Sequence, residues 1–321
     1  MLSTLTSLAA AIIAAVLLVA TYFSWVTQRV ARDAERAVPP SGNFIAVEGC
    51  NIHYIEQGEG RPILMIHGLG GTLHHMRRPL MEEFGEGYRL IALDRPGSGY
   101  STRPRSHDGR LSEQARVIAS FIDALKLERP LIVGHSLGGA VALTLALNYP
   151  DKISGLALIS PLTHFESKVA PEFRPLDIKS PLLRWVVSNT LAIPASIKAS
   201  PQTLDFVFGP QKPPRDFAIA GGAMAGMRPS HFYAASTDLV ALRHDLQQSE
   251  ARYGEITMPA GILFGSGDRV LGYRNHGLAM TDKIAGLDLE IAEGIGHMPQ
   301  YADTQRVTSF IRRIAERAFT A

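Results

Sequence analysis

Leu131-Ile132-Val133-Gly134-His135-Ser136-Leu137-Gly138-Gly139 is the stretch on which the reading of this chain turns. An apolar strand runs into G-x-S-x-G, and an apolar helical run, Ala140 to Leu147, follows. Strand, tight turn and helix in that order form a nucleophile elbow. The turn is so sharp that its central residue is strained and its side chain projects outward. Gly134 and Gly138 are needed because a Cβ at either would collide with neighbouring backbone. Ser136 Oγ then stands at a helix N-terminus, whose partial positive charge favours a developing anion.

A serine hydroxyl is a poor nucleophile until a base takes its proton. The chain has eleven histidines, so position must select one. His297 lies in Gly294-Ile295-Gly296-His297-Met298-Pro299, just beyond the expected last strand, Leu287 to Ala292. Loops at the C-terminal edge of strands are where open α/β sheets carry their sites. His276 is its nearest rival in sequence. A catalytic histidine needs an acceptor that holds its tautomer and steadies the imidazolium. Asp268, in Phe264-Gly265-Ser266-Gly267-Asp268, follows the preceding strand; its alternative role is that of a turn former. The chain order Ser136, Asp268, His297 is the serine–acid–histidine order of this motif class.

Outward from the elbow, short apolar runs alternate with helical patterns. Phe44 to Glu48 and Asn51 to Glu56 read as a hairpin around Gly49. Ile63 to Ile66, Arg89 to Leu93, Leu131 to Val133, Gly155 to Ile159 and Ile262 to Phe264 read as strands buried on both faces of a parallel sheet. Leu111, Ala115, Ile118, Ile122 and Leu125 form one helical stripe, and Val307, Phe310, Ile311 and Ile314 another, with Asp303 as N-cap. The fold class is therefore α/β, a mostly parallel central sheet with helices on both faces. Pro161 to Pro229 breaks the rhythm: it holds ten of the twenty prolines, which predicts short helices joined by bends. Its apolar residues include Leu182, Leu183, Trp185, Val186, Val187, Phe206 and Phe208. The expected division is an N-terminal anchor and linker over 1–41, a core over 42–161 and 256–321, and a helical cap insertion over 162–255.

The anchor reading rests on Leu8 to Val26, whose polar members are Thr21 and Ser24. At 1.5 Å per residue the run spans about 28 Å, close to the hydrocarbon thickness of a bilayer. Tyr22 and Trp25 sit near its end, where amphipathic rings favour the headgroup layer. A cleaved signal peptide and a buried core helix are the rival readings. No Lys or Arg precedes the run and no small-x-small site follows it, which speaks against the first; its length and uniformity speak against the second. Arg29, Arg32 and Arg36 follow it, so the positive-inside tendency places the body in the cytoplasm, although three arginines leave the other side open. Ala31 to Ser41 is expected to be a short linker.

Composition excludes other classes. Hydrophobic residues at 46% supply a full core, and 32 basic against 30 acidic residues leave no charge excess to recruit nucleic acid. A single cysteine, Cys50, permits neither a disulfide framework nor a multi-cysteine zinc site. No metal-ligand spacing is present, and no cofactor is expected.

Five segments together resemble the α/β-hydrolase superfamily, from roughly Phe44 to the C-terminus. They are Ile66-His67-Gly68-Leu69-Gly70-Gly71, Asp94-Arg95-Pro96-Gly97-Ser98-Gly99, Gly134 to Gly139, Gly265 to Asp268, and Gly296-His297. The arrangement is similar to the capped serine esterase and lipase branch. That resemblance implies an oxyanion hole from the backbone N–H groups of Leu69 and Leu137. It implies loop-shaping roles for His67 and Asp94; His74 and His75 are expected to line the pocket or lie at the surface. Some relatives carry the acid after an earlier strand, but here that position reads Ser160-Pro161-Leu162, without a carboxylate. Serine at the elbow argues against haloalkane dehalogenase and epoxide hydrolase chemistry, in which relatives attack with a carboxylate. Relatives that cleave carbon–carbon bonds commonly carry Asn where this chain has His135. The expected function is hydrolysis of carboxylic esters, lipophilic ones favoured, through an acyl-enzyme, with a small-molecule ester and a membrane as partners. A non-catalytic binding or receptor module, and a serine amidase or thioesterase, are the alternatives.

Overall fold

In a computed structural model, which describes residues 2–320, eight strands form one sheet in the order β1-β2-β4-β3-β5-β6-β7-β8. They are β1 (Asn43–Val47), β2 (Cys50–Gln57), β3 (Arg61–Ile66), β4 (Tyr88–Leu93), β5 (Leu131–His135), β6 (Gly155–Ile159), β7 (Ala260–Gly265) and β8 (Asp288–Ala292). β1, β2 and β4 pair antiparallel, and every pairing from β4 through β3 to β8 is parallel. The helices are α1 (Leu2–Ala37), α2 (His74–Leu80), α3 (Leu111–Ala124), α4 (Leu137–Asn148), α5 (Pro181–Asn189), α6 (Ala192–Phe208), α7 (Pro229–Glu250), α8 (Tyr273–His276), α9 (Pro299–Ala302) and α10 (Thr304–Thr320).

Each central strand is buried on both faces, because its alternate side chains enter different clusters. Leu64, Ile66, Ile132, Ile262 and Phe264 pack with α3 and α4. Ile63, Met65, Leu131, Val133 and Leu263 pack with α2 and α10 on the other side. Asp303 caps α10 by accepting the Arg306 amide at 3.1 Å.

Between β6 and β7 the chain leaves the sheet and builds a helical cap from α5, α6 and α7. Two expectations need correction here. The proline-rich stretch was expected to form only short helices, yet α6 runs 17 residues with Pro201 inside it. Pro201 has no N–H for the Ile197 carbonyl, and the Ser200 hydroxyl donates to that carbonyl at 2.9 Å instead. The segment expected to be a linker from Ala31 is helical to Ala37, because α1 does not stop at the end of the apolar run. Ala31, Ala34 and Val38 are buried, and Val30 joins Ala192, Ile193 and Phe232 of the cap in one apolar cluster. Thr27 Oγ1 donates to the Thr190 carbonyl at 2.5 Å, and Tyr100 Oη to that of Val38 at 2.5 Å. Among the described residues α1 is the one helix long and apolar enough to cross a membrane.

Candidate active site

The turn between β5 and α4 holds Ser136 at φ 53° and ψ −120°, a backbone conformation that L-residues with a side chain rarely adopt. It persists because the surroundings allow nothing else. A Cβ on Gly134 would lie 2.6 Å from the Gly138 carbonyl oxygen, and one on Gly138 would lie 2.3 Å from that of Ile66. The elbow is therefore pressed against the end of β3. Its own backbone is anchored by the Ser136 amide donating to Ile159 at 3.1 Å and by the Leu162 amide donating to Ser136 at 3.0 Å.

His297 and Asp268 come together from adjacent loops beyond β8 and β7. His297 Nδ1 donates to Asp268 Oδ2 at 2.7 Å, with the carboxylate fully buried. The other carboxylate oxygen accepts the amides of Val270 and Leu271 at 2.8 and 2.9 Å. With the proton on Nδ1, Nε2 is the basic nitrogen of His297. The loops are in close contact: a Cβ on Gly265 would sit 2.1 Å from the Ile295 carbonyl oxygen.

His135 adds a second restraint on His297. Its Nε2 donates to the His297 carbonyl at 2.8 Å, and the two rings lie 4.9 Å apart. Burial, and then the neighbouring His297, hold the His135 pKa well below the usual histidine range, so it is neutral and its Nδ1 carries no proton. Ser136 lines the same cavity as His297, and its hydroxyl forms no hydrogen bond among the described residues. His276, the rival base, has both ring nitrogens engaged elsewhere, accepting the Thr163 amide at 3.2 Å and pairing with Glu166 at 3.1 Å.

Leu69 and Leu137 line the cavity with Ser136, and the amide of neither donates to a turn or cap within the described residues. Leu137 is the first residue of α4, so its N–H has no partner inside the helix. The loop carrying Leu69 is held from behind. Arg95 Nε donates to the His67 carbonyl and Arg95 Nη2 to that of Gly68, both at 3.0 Å. His67 accepts the Arg95 amide at 3.0 Å and donates to Gly68 at 2.8 Å. Asp94 accepts the amides of Leu73 at 2.8 Å and Tyr100 at 2.9 Å, which shapes the two loops that flank the site.

The cap supplies two supports that sequence reading did not find. His231 of α7 donates to the Gly70 carbonyl at 3.1 Å while accepting the Gly99 amide at 2.9 Å. Asp238 of α7 pairs with Arg95 at 2.7 Å and with Arg103 at 2.5 Å, all three side chains being buried. One signal existed. His231, Asp238 and Asp245 recur every seven residues, so a helix of mixed composition carries a polar stripe on one face.

A cavity of about 1080 Å³ opens onto Ser136 and His297. Its walls include Leu162, Val207, Phe208, Phe217, Leu246 and Met298, so most of what a bound molecule would touch is hydrocarbon. Drug-sized pockets run to roughly 1,000 Å³, which places this one at the large end. His75 lies on its wall near Phe217, with burial pushing its pKa down to about 4.

Comparison with known proteins agrees with this architecture. A family model described as alpha/beta hydrolase fold matches residues 61–184. The 2-hydroxy-6-oxo-6-phenylhexa-2,4-dienoate hydrolase of Comamonas testosteroni is 28% identical over 254 residues, covering 78% of this chain and 86% of that protein. A dihydrolipoyllysine-residue acetyltransferase component of the acetoin cleaving system of Cupriavidus necator is 38% identical over 120 residues, 37% of this chain. The match spans only 32% of that acetyltransferase component. Among solved structures, a membrane phospholipase A, described as a bacterial virulence factor, superposes with a TM-score of 0.69 at 23% identity, covering 100% of both chains.

Proposed function

We propose that this chain, a member of the α/β-hydrolase superfamily, is a membrane-anchored serine hydrolase of lipophilic carboxylic esters. The observation that carries the reading is the Asp268–His297 pair, 2.7 Å apart, whose histidine borders the same apolar cavity as a serine strained onto a helix N-terminus. In this reading Asp268, His297 and Ser136 act as one unit. His297 Nε2 takes the Ser136 proton as Oγ attacks the ester carbonyl. The N–H groups of Leu69 and Leu137 receive the oxyanion, each such donor contributing on the order of 10²–10³ in rate. His297⁺ then gives its proton to the departing alcohol, leaving an acyl group on Ser136. Water, deprotonated by His297, releases the acid and restores the hydroxyl. The serine–histidine hydrogen bond closes when substrate arrives, as it does in many enzymes whose resting geometry is looser.

The apolar cavity wall supports a lipophilic acyl group, and the exposed apolar length of α1 supports an anchor. The whole-length likeness to a membrane phospholipase A makes a phospholipid acyl ester the first substrate to try. The positive-inside tendency gives the cytoplasmic side as the starting assumption for the body. The expected division into anchor, core and cap over 1–41, 42–161 with 256–321, and 162–255 is retained as part of this proposal.

The test is hydrolysis of p-nitrophenyl esters of increasing chain length by wild type and Ser136→Ala. We expect kcat to fall by roughly 10⁴–10⁶ in the variant, and a fluorophosphonate probe to label wild type but not the variant. Near-wild-type turnover by Ser136→Ala would end the reading. Failure of the intact protein to react with the probe would favour the non-catalytic binding alternative.

A further inference from the structure

The cap helix α5 is inside out for a protein in water. A surface helix normally buries its apolar stripe and exposes its polar one. In α5 the buried residues are Arg184 and Ser188, while Leu182, Leu183, Trp185 and Val186 are 40–72% exposed. The buried arginine is not stranded. It donates to the Ile178 carbonyl at 2.6 Å, to Ser236 at 3.0 Å and to Thr237 at 2.9 Å. The arrangement is thus fully satisfied on its inner side and leaves hydrocarbon outward. Leu191, at the turn into α6, and Ile197 on α6 extend the exposed surface at 48% and 45%. A cluster of exposed large apolar side chains on this scale marks a contact surface.

The position of α1 identifies what this surface meets. The apolar run Leu8 to Val26 is fully exposed over its first turns, but Ala20, Phe23, Ser24 and Val26 are already half-covered. Thr27, one residue past the run, is buried and bonded to the Thr190 carbonyl at the α5–α6 turn. Trp25 lies two residues, about 3 Å of helix rise, from Thr27. If Trp25 marks the headgroup layer, the α5–α6 turn stands at that same depth. Leu191 has a second property: it lines the cavity that leads to Ser136 and His297. The exposed apolar surface and the cavity therefore share a residue at membrane level. Lys179 and Lys198, both exposed and next to the patch in sequence, can reach phosphate groups with their ammonium ends.

We infer that the outward face of α5 and the α5–α6 turn is a second membrane-binding surface, seated in the lipid headgroup and upper acyl layer of the leaflet that α1 enters. It turns the cavity mouth near Leu191 toward the leaflet, so that an ester-bearing lipid can enter laterally. The inference rests on the proposed anchoring by α1, and not on the chemistry at Ser136.

The chain's two tryptophans make this directly measurable. Full-length protein would be reconstituted in phosphatidylcholine–phosphatidylglycerol vesicles whose acyl chains are brominated near the headgroup. Trp25→Phe leaves Trp185 as the sole emitter, and Trp185→Phe leaves Trp25. We expect emission from each to be at least roughly halved relative to unbrominated vesicles. Leu182→Asp combined with Leu183→Asp should restore Trp185 emission and leave Trp25 quenched. Quenching of Trp25 without quenching of Trp185 would overturn the surface while leaving the anchor standing. Trp185 shielded from both brominated lipid and aqueous iodide would mean that a second copy covers it, which also overturns the inference. Quenching of neither tryptophan by lipid would remove the anchor and the surface together, whatever the ester assays show.

Discussion

Asp268 divides its two oxygens between different tasks, and that division makes it testable in isolation. Oδ1 accepts the Val270 and Leu271 amides and so holds its own loop, while Oδ2 holds His297 Nδ1–H. Asp268→Asn can keep the first set of bonds through its carbonyl oxygen, presenting an NH₂ group to the histidine. An NH₂ donor facing Nδ1 selects the tautomer whose Nε2 carries the proton, which cannot accept from Ser136. We expect a folded protein with Tm near wild type and kcat lowered by about 10⁴; a loss of less than tenfold would show that the carboxylate is structural. The residue scale is also where the sequence was most legible. Strand, G-x-S-x-G and helix are local, and the steric need for Gly134 and Gly138 follows from the turn itself. His135 was harder to read, because its partner is a backbone carbonyl 162 residues away. Nothing near the elbow announces that contact.

At the scale of the element, α7 does more than roof the cavity. Its polar stripe binds the cap to the core at three successive points. His231 holds the loop of Gly70, Asp238 holds Arg95 and Arg103, and Asp245 accepts the amide and hydroxyl of Ser112 at the start of α3, at 2.8 and 2.6 Å. Arg95 in turn grips the carbonyls of His67 and Gly68, next to the Leu69 amide. Cap and candidate oxyanion loop are therefore one mechanical unit through α7. Asp238→Ala leaves two buried guanidinium groups without their carboxylate, and breaking a buried pair in this way costs roughly 3–5 kcal/mol. For a domain of this size we expect Tm to fall by on the order of 10 °C. Surviving folded protein should show a lower kcat, because the oxyanion loop loses its clamp. A Tm within 2 °C of wild type, a shift worth only about 1 kcal/mol at most, would mean that the arginines find other partners and that α7 is not fixed. Hydrophobic periodicity could not reveal this helix's role, since beside the apolar packing of Leu242 and Leu246 its anchoring points on the core are polar side chains. In the neighbouring α5, likewise, composition does not tell which face is inside: Leu182, Leu183, Trp185 and Val186 are exposed, and the structure buries Arg184 and Ser188.

For the whole molecule, the sheet and its two helical layers were legible because each rests on a short apolar run or a single helical stripe. The cap's internal order and the docking of α1 were not, because they depend on contacts such as Thr27 with Thr190 that join distant segments. The same long-range assembly traps histidines in the interior, and that sets how the fold responds to acid. His67, His135, His231 and His276 are buried, and burial lowers the pKa of each below its ordinary value. In the unfolded chain they titrate near 6.5. Between that value and their lower folded values, the unfolded state binds more protons, so stability rises with pH across the window and is lost as pH falls through it. Each such histidine removes at most about 1.4 kcal/mol per pH unit once the pH is below 6.5. Carboxylates add little there, because their ordinary values lie near 4. Thermal unfolding in detergent should give a Tm that is level from pH 8 to 7 and falls by on the order of 5–10 °C by pH 5. A Tm unchanged between pH 7 and 5 would require these histidines to accept protons in place, and in His67, His231 and His276 the hydrogen bonds from the backbone amides of Arg95, Gly99 and Thr163 leave no lone pair to do so.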